Sequence, residues 1–111
     1  MQQLDAALAD PVKGKVVAKQ VLASLGLDAV VSAGSGSAPI SAELIEWYRK
    51  LGLDLMEGYA MTEDFAYSHG SLPQYSKPGY VGRALPGVQS RLSPEGEILV
   101  KSPGCMVGYY K

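Results

Sequence analysis

The chain has 111 residues, 47% of them hydrophobic, and a formal net charge of −1, so it forms one compact unit at most and gives no electrostatic footprint for nucleic acid. Its single cysteine, Cys105, and single histidine, His69, exclude an internal disulfide and a multi-histidine zinc site. No apolar run approaches a membrane span and the N-terminus lacks a signal peptide's charged and apolar regions, so we expect a cytoplasmic protein.

The first third of the chain predicts two helices and a strand. A short helix is expected over residues 4–9 and a longer one over 15–25, where Val17, Val21, Leu22 and Leu25 share one face. Gly26 is placed to end the second helix. Residues 29–33 then predict a short buried strand, and residues 34–39 predict a loop.

A third helix is marked at both ends. Ser41 is the expected N-cap, Ile40 and Ile45 are spaced as a hydrophobic staple, and Gly52 ends the helix. The apolar stripe of this helix consists of Leu44, Ile45, Tyr48 and Leu51. Residues 53–57 follow as a second strand. In an α/β sheet, this order of strand, loop, helix and strand indicates a parallel, right-handed crossover.

The second half of the chain predicts β structure. Residues 64–79 are expected to be irregular, and residues 88–92 and 97–100 predict two strands joined by a turn at 93–96. The predicted fold class is therefore a partial three-layer α/β unit, with a parallel βαβ element followed by the start of an antiparallel β unit. Its parts are an α/β segment at 1–63, a loop at 64–79 and a β segment at 80–111.

The stretch from Gly58 to Glu63 combines groups that suit a nucleotide with a magnesium ion. The ring of Tyr59 can stack on a base, the hydroxyl of Thr62 can donate to a phosphate oxygen, and the carboxylate of Glu63 can hold Mg²⁺. The stretch directly follows a predicted strand, at the edge where α/β sheets bind ligands.

This stretch resembles the Tyr-Gly-x-Thr-Glu signature of the adenylate-forming enzymes, the superfamily of acyl-CoA synthetases, luciferases and peptide-synthetase adenylation domains. Three other stretches, at 36–39, 81–87 and 96–110, resemble further motifs of that family in the same order. Together they cover roughly residues 25–111. Residues 41–51 and their flanks look most like the long-chain fatty acid branch. The chain is therefore expected to be an internal fragment of the family's N-terminal domain.

The resemblance implies a role for each matching residue. Tyr59 stacks on adenine, Thr62 contacts the α-phosphate and Glu63 binds Mg²⁺, which makes Thr62 and Glu63 the expected catalytic residues. The remaining expected nucleotide-binding residues are Gly36, Ser37, Ala38 and Pro39, which form a wall of the adenine pocket, and Glu57, Gly58, Ala60 and Met61. The implied ligands are ATP or AMP, Mg²⁺, a carboxylic acid and coenzyme A.

The intact enzyme that the resemblance implies works in two steps. A carboxylate attacks the α-phosphate of MgATP to give an acyl-adenylate and pyrophosphate, and the thiol of coenzyme A then displaces AMP. The family's Gly-x-Pro-Lys phosphate loop and its C-terminal domain with a catalytic lysine are absent from the sequence, and its Thr-Gly-Asp segment would lie just beyond Lys111. We therefore expect the isolated chain not to catalyse adenylation.

Several positions leave alternatives open. Ala60 replaces the family's usual glycine, and an added methyl there narrows or reshapes the acyl pocket; Ala84 replaces a usual proline. Asp64 either faces solvent or strengthens metal attraction beside Glu63. Tyr59 and Met61 are alternatively core residues, and Thr62 is alternatively a helix N-cap. His69 and Cys105 are expected to be inert, with His69 exposed to solvent.

Two rival functions remain beside the acid–thiol ligase fragment. One is an adenylation domain that loads a carrier protein, in the same superfamily. The other is a non-catalytic interaction module, or truncated relic, whose fold no longer binds nucleotide. Unpaired strand edges and exposed apolar surface in such a fragment predict self-association.

Overall fold

The computed structural model describes residues 2–111, and within them three α-helices and six β-strands alternate with two short 3₁₀ turns. The helices are α1 (Gln2–Leu8), α2 (Lys13–Ser24) and α3 (Ala42–Lys50). The strands are β1 (Ala33–Ser35), β2 (Leu55–Tyr59), β3 (His69–Gly70), β4 (Arg83–Ala84), β5 (Gln89–Leu92) and β6 (Ile98–Lys101). The 3₁₀ turns are Thr62–Asp64 and Pro73–Tyr75. None of the helices described is long and apolar enough to cross a membrane.

The chain divides into two compact units. The first comprises the residues up to 33 together with 41–55, and the second comprises 34–40 together with 56–111. Ala18, Ile45, Leu51 and Leu53 form the buried apolar core of the first unit. Four polar side chains are buried in the second unit, namely Glu57, Asp64, Ser68 and Ser71.

Helices α1 and α2 pack closely because the second residue of α2, Gly14, lies at the contact. A methyl group at Gly14 would lie 2.6 Å from the carbonyl oxygen of Leu8. The buried positions of α2 are Gly14 and Ala18, whereas Leu25 is 52% exposed. The predicted apolar face was therefore wrong at Leu25, which lies beyond the end of the helix.

The predicted C-terminal ends of α2 and α3 are confirmed, and a glycine follows each of them, whereas α2 starts two residues earlier than predicted. Gly26 and Gly52 have φ values of +74° and +94°, which glycine adopts without strain. After α3, the amide of Gly52 donates to the carbonyl of Arg49, and the amide of Leu53 donates to that of Tyr48. At the other end of α3 the predicted cap is confirmed, since the Ser41 side chain accepts a hydrogen bond of 3.2 Å from the amide of Leu44.

These helix stops explain why both early strands begin later than predicted. Leu53 is bonded back to α3, so β2 starts only at Leu55 and runs on to Tyr59. Similarly, the amide of Val30 donates to the carbonyl of Leu27, and this turn delays β1 until Ala33. Val31, predicted to lie in a buried strand, is fully exposed.

A four-stranded sheet has the order β1-β2-β3-β4. β2 pairs antiparallel with β3, with Tyr59 opposite His69, and β3 pairs antiparallel with β4. The sheet combines parallel and antiparallel strands, which confirms the predicted mixed α/β class. Residues 64–79 are not wholly irregular as predicted, because they contain β3 and a 3₁₀ turn.

The predicted hairpin is confirmed and forms a separate two-stranded sheet. β5 and β6 pair antiparallel from Gln89 opposite Lys101 to Leu92 opposite Ile98. The turn between them closes through the amide of Gly96, which donates to the carbonyl of Ser93 at 2.9 Å. The amide of Glu97 also donates to the side chain of Ser93.

Candidate functional site

A cavity of about 540 Å³ lies at the carboxyl end of β2, entirely within the second unit. Its lining comes from the loop after β1, the end of β2, the turn after β2 and the start of β3. The lining residues are Gly36, Ser37, Gly58, Tyr59, Ala60, Met61, Thr62, Glu63, Ala66 and His69. Among the predicted site residues, Ala38, Pro39 and Glu57 are not part of this lining. Ala66 and His69 line the cavity without having been predicted.

The backbones of three segments approach closely at the cavity because two of the lining residues are glycines. A methyl group at Gly36 would lie 3.3 Å from the carbonyl oxygen of Gly58, and one at Gly58 would lie 3.2 Å from that of His69. Both distances are tighter than ordinary van der Waals contact. Glycine at these positions therefore keeps the segments together and leaves this part of the cavity free of side chains.

The ring of Tyr59 is held against the ring of His69. The two residues are partners in the β2–β3 pair, and their ring centroids are 5.9 Å apart at an interplanar angle of 62°, an edge-to-face arrangement. Tyr59 therefore has one side supported by a neighbouring strand while it contributes to the cavity wall.

His69 is half-buried and hydrogen-bonded, so the prediction that it is exposed to solvent was wrong, whereas its inertness stays a prediction. It is half-buried, with Nδ1 at 2.7 Å from Oγ of Ser68 and Nε2 at 3.1 Å from Oγ of Ser90. Its place is set by β3, a strand of only two residues that shows no periodicity in the sequence. No local pattern in the sequence therefore indicated its contacts with Tyr59 and Ser90.

The turn after β2 is closed by Asp64. This side chain is 1% exposed, and its Oδ1 accepts a hydrogen bond of 2.9 Å from the amide of Met61. The amide of Asp64 donates in return to the carbonyl of Met61 at 3.2 Å. Phe65 and Ala66 then adopt left-handed conformations with φ values of +60° and +56°, which reverse the chain direction.

The position of Asp64 bears on two alternatives that the sequence left open. It does not face solvent, and it does not line the cavity beside Glu63. Thr62 is the first residue of the 3₁₀ turn and not its N-cap, because Met61 precedes the turn and Asp64 reaches back to it. The short aspartate side chain can make this local bond, as is common at turns.

Among the described residues that line the cavity, Glu63 is the one with a carboxylate. Two residues near the end of the chain, Met106 and Tyr109, form hydrogen bonds with it. The amide of Met106 donates to the carbonyl oxygen of Glu63 at 2.8 Å. The hydroxyl of Tyr109 donates to Oε1 of Glu63 at 2.6 Å. This hydrogen bond is the main cause that lowers the pKa of Glu63 below its ordinary value, and it raises the pKa of Tyr109.

The donor set suits magnesium bound together with phosphates. No group of three or more histidine, cysteine or acidic side chains gathers around a possible metal position in the part of the chain described. Mg²⁺ does not need such a cage, because it is usually held by one or two carboxylates, substrate phosphates and water. The single carboxylate of Glu63 fits that requirement.

Glu57, a predicted nucleotide-binding residue, and Cys105 both lie outside the cavity lining. Glu57 is a buried residue of β2, and its carbonyl oxygen accepts the amide of Ser71 at 3.0 Å. Cys105, predicted to be inert, is exposed, with its sulfur 3.7 Å from the hydroxyl of Ser102. Its reactivity stays a prediction.

Comparison with known proteins identifies the family to which the chain is similar. The family model described as "AMP-binding enzyme" matches residues 3–110. The chain is 33% identical, over 87% of its length, to the putative fatty-acid–CoA ligase fadD11 of Mycobacterium tuberculosis, of which it covers 17%. It is 35% identical, again over 87% of its length, to the long-chain-fatty-acid–CoA ligase FadD15 of Mycobacterium bovis, of which it covers 16%.

Solved structures share the fold at lower sequence identity. The anthranilate CoA ligase AuaEII, solved in complex with anthranoyl-AMP, matches 83% of this chain with a TM-score of 0.64 and 22% identity. A benzoate CoA ligase from Burkholderia xenovorans LB400 matches 86% of the chain with a TM-score of 0.64 and 19% identity. The chain covers 20% and 23% of those two structures, respectively.

Proposed function

The chain belongs to the AMP-binding enzyme family, and we propose that it carries the adenine-binding side of an acid–thiol ligase. The observation that carries this proposal is that one cavity of about 540 Å³ is lined by every residue from Gly58 to Glu63, together with Gly36 and Ser37. A ring, a hydroxyl and a carboxylate therefore face one space large enough for part of a nucleotide.

Each functional group has a proposed role in that cavity. The ring of Tyr59 stacks on adenine, and its partner His69 limits the movement of the ring. The hydroxyl of Thr62 donates to the α-phosphate, and the carboxylate of Glu63 holds Mg²⁺, which would neutralise phosphate charge. The methyl group of Ala60, in place of the family's usual glycine, narrows the space left for the acyl group.

The proposed substrates are a fatty acid, ATP and coenzyme A. The relatives named fatty-acid–CoA ligases support this choice, since they are 33% and 35% identical to the chain. The intact enzyme would join the acid to the α-phosphate with release of pyrophosphate, and then pass the acyl group to the thiol with release of AMP. Positioning and charge neutralisation supply most of such catalysis. A cytoplasmic location stays a prediction.

Tyr59→Ala tests the nucleotide site directly. Stacking of a base on an aromatic ring contributes about 1–3 kcal/mol. We therefore expect the wild-type chain to broaden the signals of AMP in ligand-observed NMR and the variant to lose most of this effect. Tyr80→Ala is the matched control, because Tyr80 is exposed and lies outside the cavity lining. Equal binding by wild type and Tyr59→Ala would contradict the proposal.

We further propose that the 111-residue chain alone does not catalyse adenylation. It spans 16–18% of the length of the first curated relatives that it matches, and the phosphate loop and catalytic lysine that its family resemblance implies are not in its sequence. The purified chain should therefore show no exchange of labelled pyrophosphate into ATP. Exchange that the wild type and Glu63→Gln show equally would come from a contaminating enzyme and would not bear on the proposal. Exchange that the wild type shows and Glu63→Gln lacks would refute the proposal.

Self-association is also proposed, because the β5–β6 hairpin exposes apolar side chains. Leu92 and Ile98 are cross-strand partners and are 68% and 45% exposed. Light scattering should show a dimer or larger species, and Leu92→Lys should shift it towards the monomer. Leu25→Lys, at an exposed leucine of the first unit, is the control. A monodisperse wild-type monomer would count against this idea.

A further inference from the structure

Tyr109 is distant in sequence from the residues that line the cavity, but it contacts the carboxylate of Glu63 directly. Its hydroxyl lies 2.6 Å from Oε1 of Glu63, a short distance typical of a hydrogen bond to a charged acceptor. The tyrosine itself is 76% exposed, so burial of its ring does not account for its position.

The segment that carries Tyr109 is anchored by its backbone. Gly104 packs against the 3₁₀ turn so closely that a methyl group there would lie 3.1 Å from the carbonyl oxygen of Asp64. The amide of Cys105 donates to the carbonyl of Ser102, and the amide of Met106 donates to that of Glu63. These contacts hold residues 102–106 along the turn, and the chain then brings Tyr109 back to the side chain of Glu63.

The hydrogen bond from Tyr109 occupies one of the two carboxylate oxygens. A carboxylate can accept about four hydrogen bonds or ligands in total, so Glu63 keeps most of its capacity. A glutamate side chain has three rotatable bonds, and an unrestrained one loses considerable freedom when it binds a metal. A donor that already fixes the carboxylate reduces that loss, as hydrogen-bonded partners of metal ligands commonly do.

We propose that Tyr109 is a positioning residue that fixes the carboxylate of Glu63 for the magnesium ion of MgATP. The inference rests on the proposed function, which assigns the metal to Glu63, and adds a residue from a different part of the chain. Because the tyrosine is a neutral donor to Oε1, it orients the carboxylate while Oε2 stays available to the ion. Tyr109 contacts neither nucleotide nor metal in this account.

The test compares ATP binding with and without magnesium. For each variant, the dissociation constant of ATP is measured by ligand-observed NMR in excess EDTA and in saturating Mg²⁺. The value in EDTA divided by the value in Mg²⁺ is the magnesium enhancement. Removal of a partner that holds a metal ligand typically costs about 10- to 100-fold in metal affinity. Tyr109→Phe should therefore lower the magnesium enhancement about tenfold. If the wild-type enhancement is itself less than about tenfold, the variant should show an enhancement of one, that is, no effect of magnesium. Binding in EDTA should stay within about twofold, because the hydroxyl acts only through the carboxylate.

Two further variants separate the possible failures. Tyr110→Phe removes the neighbouring exposed hydroxyl, for which the structure shows no contact with Glu63, and should behave as wild type. Glu63→Gln should abolish the enhancement. If it does and Tyr109→Phe leaves the enhancement unchanged or increases it, the role of Tyr109 is refuted while the proposed function stands. If Glu63→Gln has no effect, or wild type shows no enhancement, the metal assignment and this inference both fail.

Discussion

At the scale of single residues, the two adjacent carboxylates of the signature have opposite environments. Glu63 lines the cavity and accepts the hydroxyl of Tyr109, whereas Asp64 is buried and accepts the amide of Met61. The sequence alone does not separate them, because both are acidic and follow the same strand. Side-chain length decides their roles, since aspartate is short enough to bond a backbone amide three residues earlier. Asp64 thus shapes the turn, whereas Glu63 lines the cavity.

Asp64→Ala should lower the free energy of unfolding by about 1–3 kcal/mol, because it leaves the amide of Met61 without its buried acceptor. Asp64→Asn keeps an acceptor oxygen in the same place and should cost less. Urea denaturation of both variants provides the measurement. If the alanine variant proved as stable as wild type, Asp64 would not be closing the turn.

At the scale of helices and strands, the sequence predicted those elements whose ends depend on hydrogen bonds between residues close together in the chain. Ser41 and the glycines Gly26 and Gly52 mark helix ends through bonds within a few residues, and those ends are confirmed. The shortest strands were missed for the opposite reason. β3 and β4 have two residues each, and they are strands only because distant segments pair with them. With β3 missed, the contact of His69 with Tyr59 was missed as well.

The packing of Gly82 against β3 leaves no room for a larger side chain. A methyl group there would lie 2.0 Å from the carbonyl oxygen of Gly70 in β3, and the residue has a φ of +93°. Gly96 has a φ of +88° with nothing within 4 Å of the added methyl, so it isolates the conformational cost. That cost is about 1–2 kcal/mol for a left-handed residue. Gly82→Ala should lose a further 1–3 kcal/mol or so from overpacking.

The difference between Gly82→Ala and Gly96→Ala can be measured by thermal or urea unfolding of the two variants in parallel. Equal destabilisation would mean that the backbone near Gly70 moves aside easily. In that case, the close packing of β3 against the segment before β4 would not be a firm support for the wall of the cavity that contains His69.

At the scale of the whole molecule, the predicted nucleotide-binding residues that line the cavity all lie in the second unit. The sequence predicted most of this lining through the resemblance of four stretches to one family, and that family is confirmed. It did not predict the contact of Tyr109 with Glu63, because Tyr109 lies 46 positions later in the chain and the tail shows no pattern that points to the site. Contacts of that range depend on the folded chain.

We propose that the cavity at the end of β2 binds the adenine nucleotide. Chemical-shift mapping of the ¹⁵N-labelled chain with AMP tests it most directly, since backbone amides report position without any substitution. We predict that the largest shifts fall at Gly36, Tyr59, Thr62 and His69, with residues of α1 and α2 unchanged. A well-dispersed spectrum in which millimolar AMP shifts none of these four amides, or shifts only those of β5 and β6, would contradict the account.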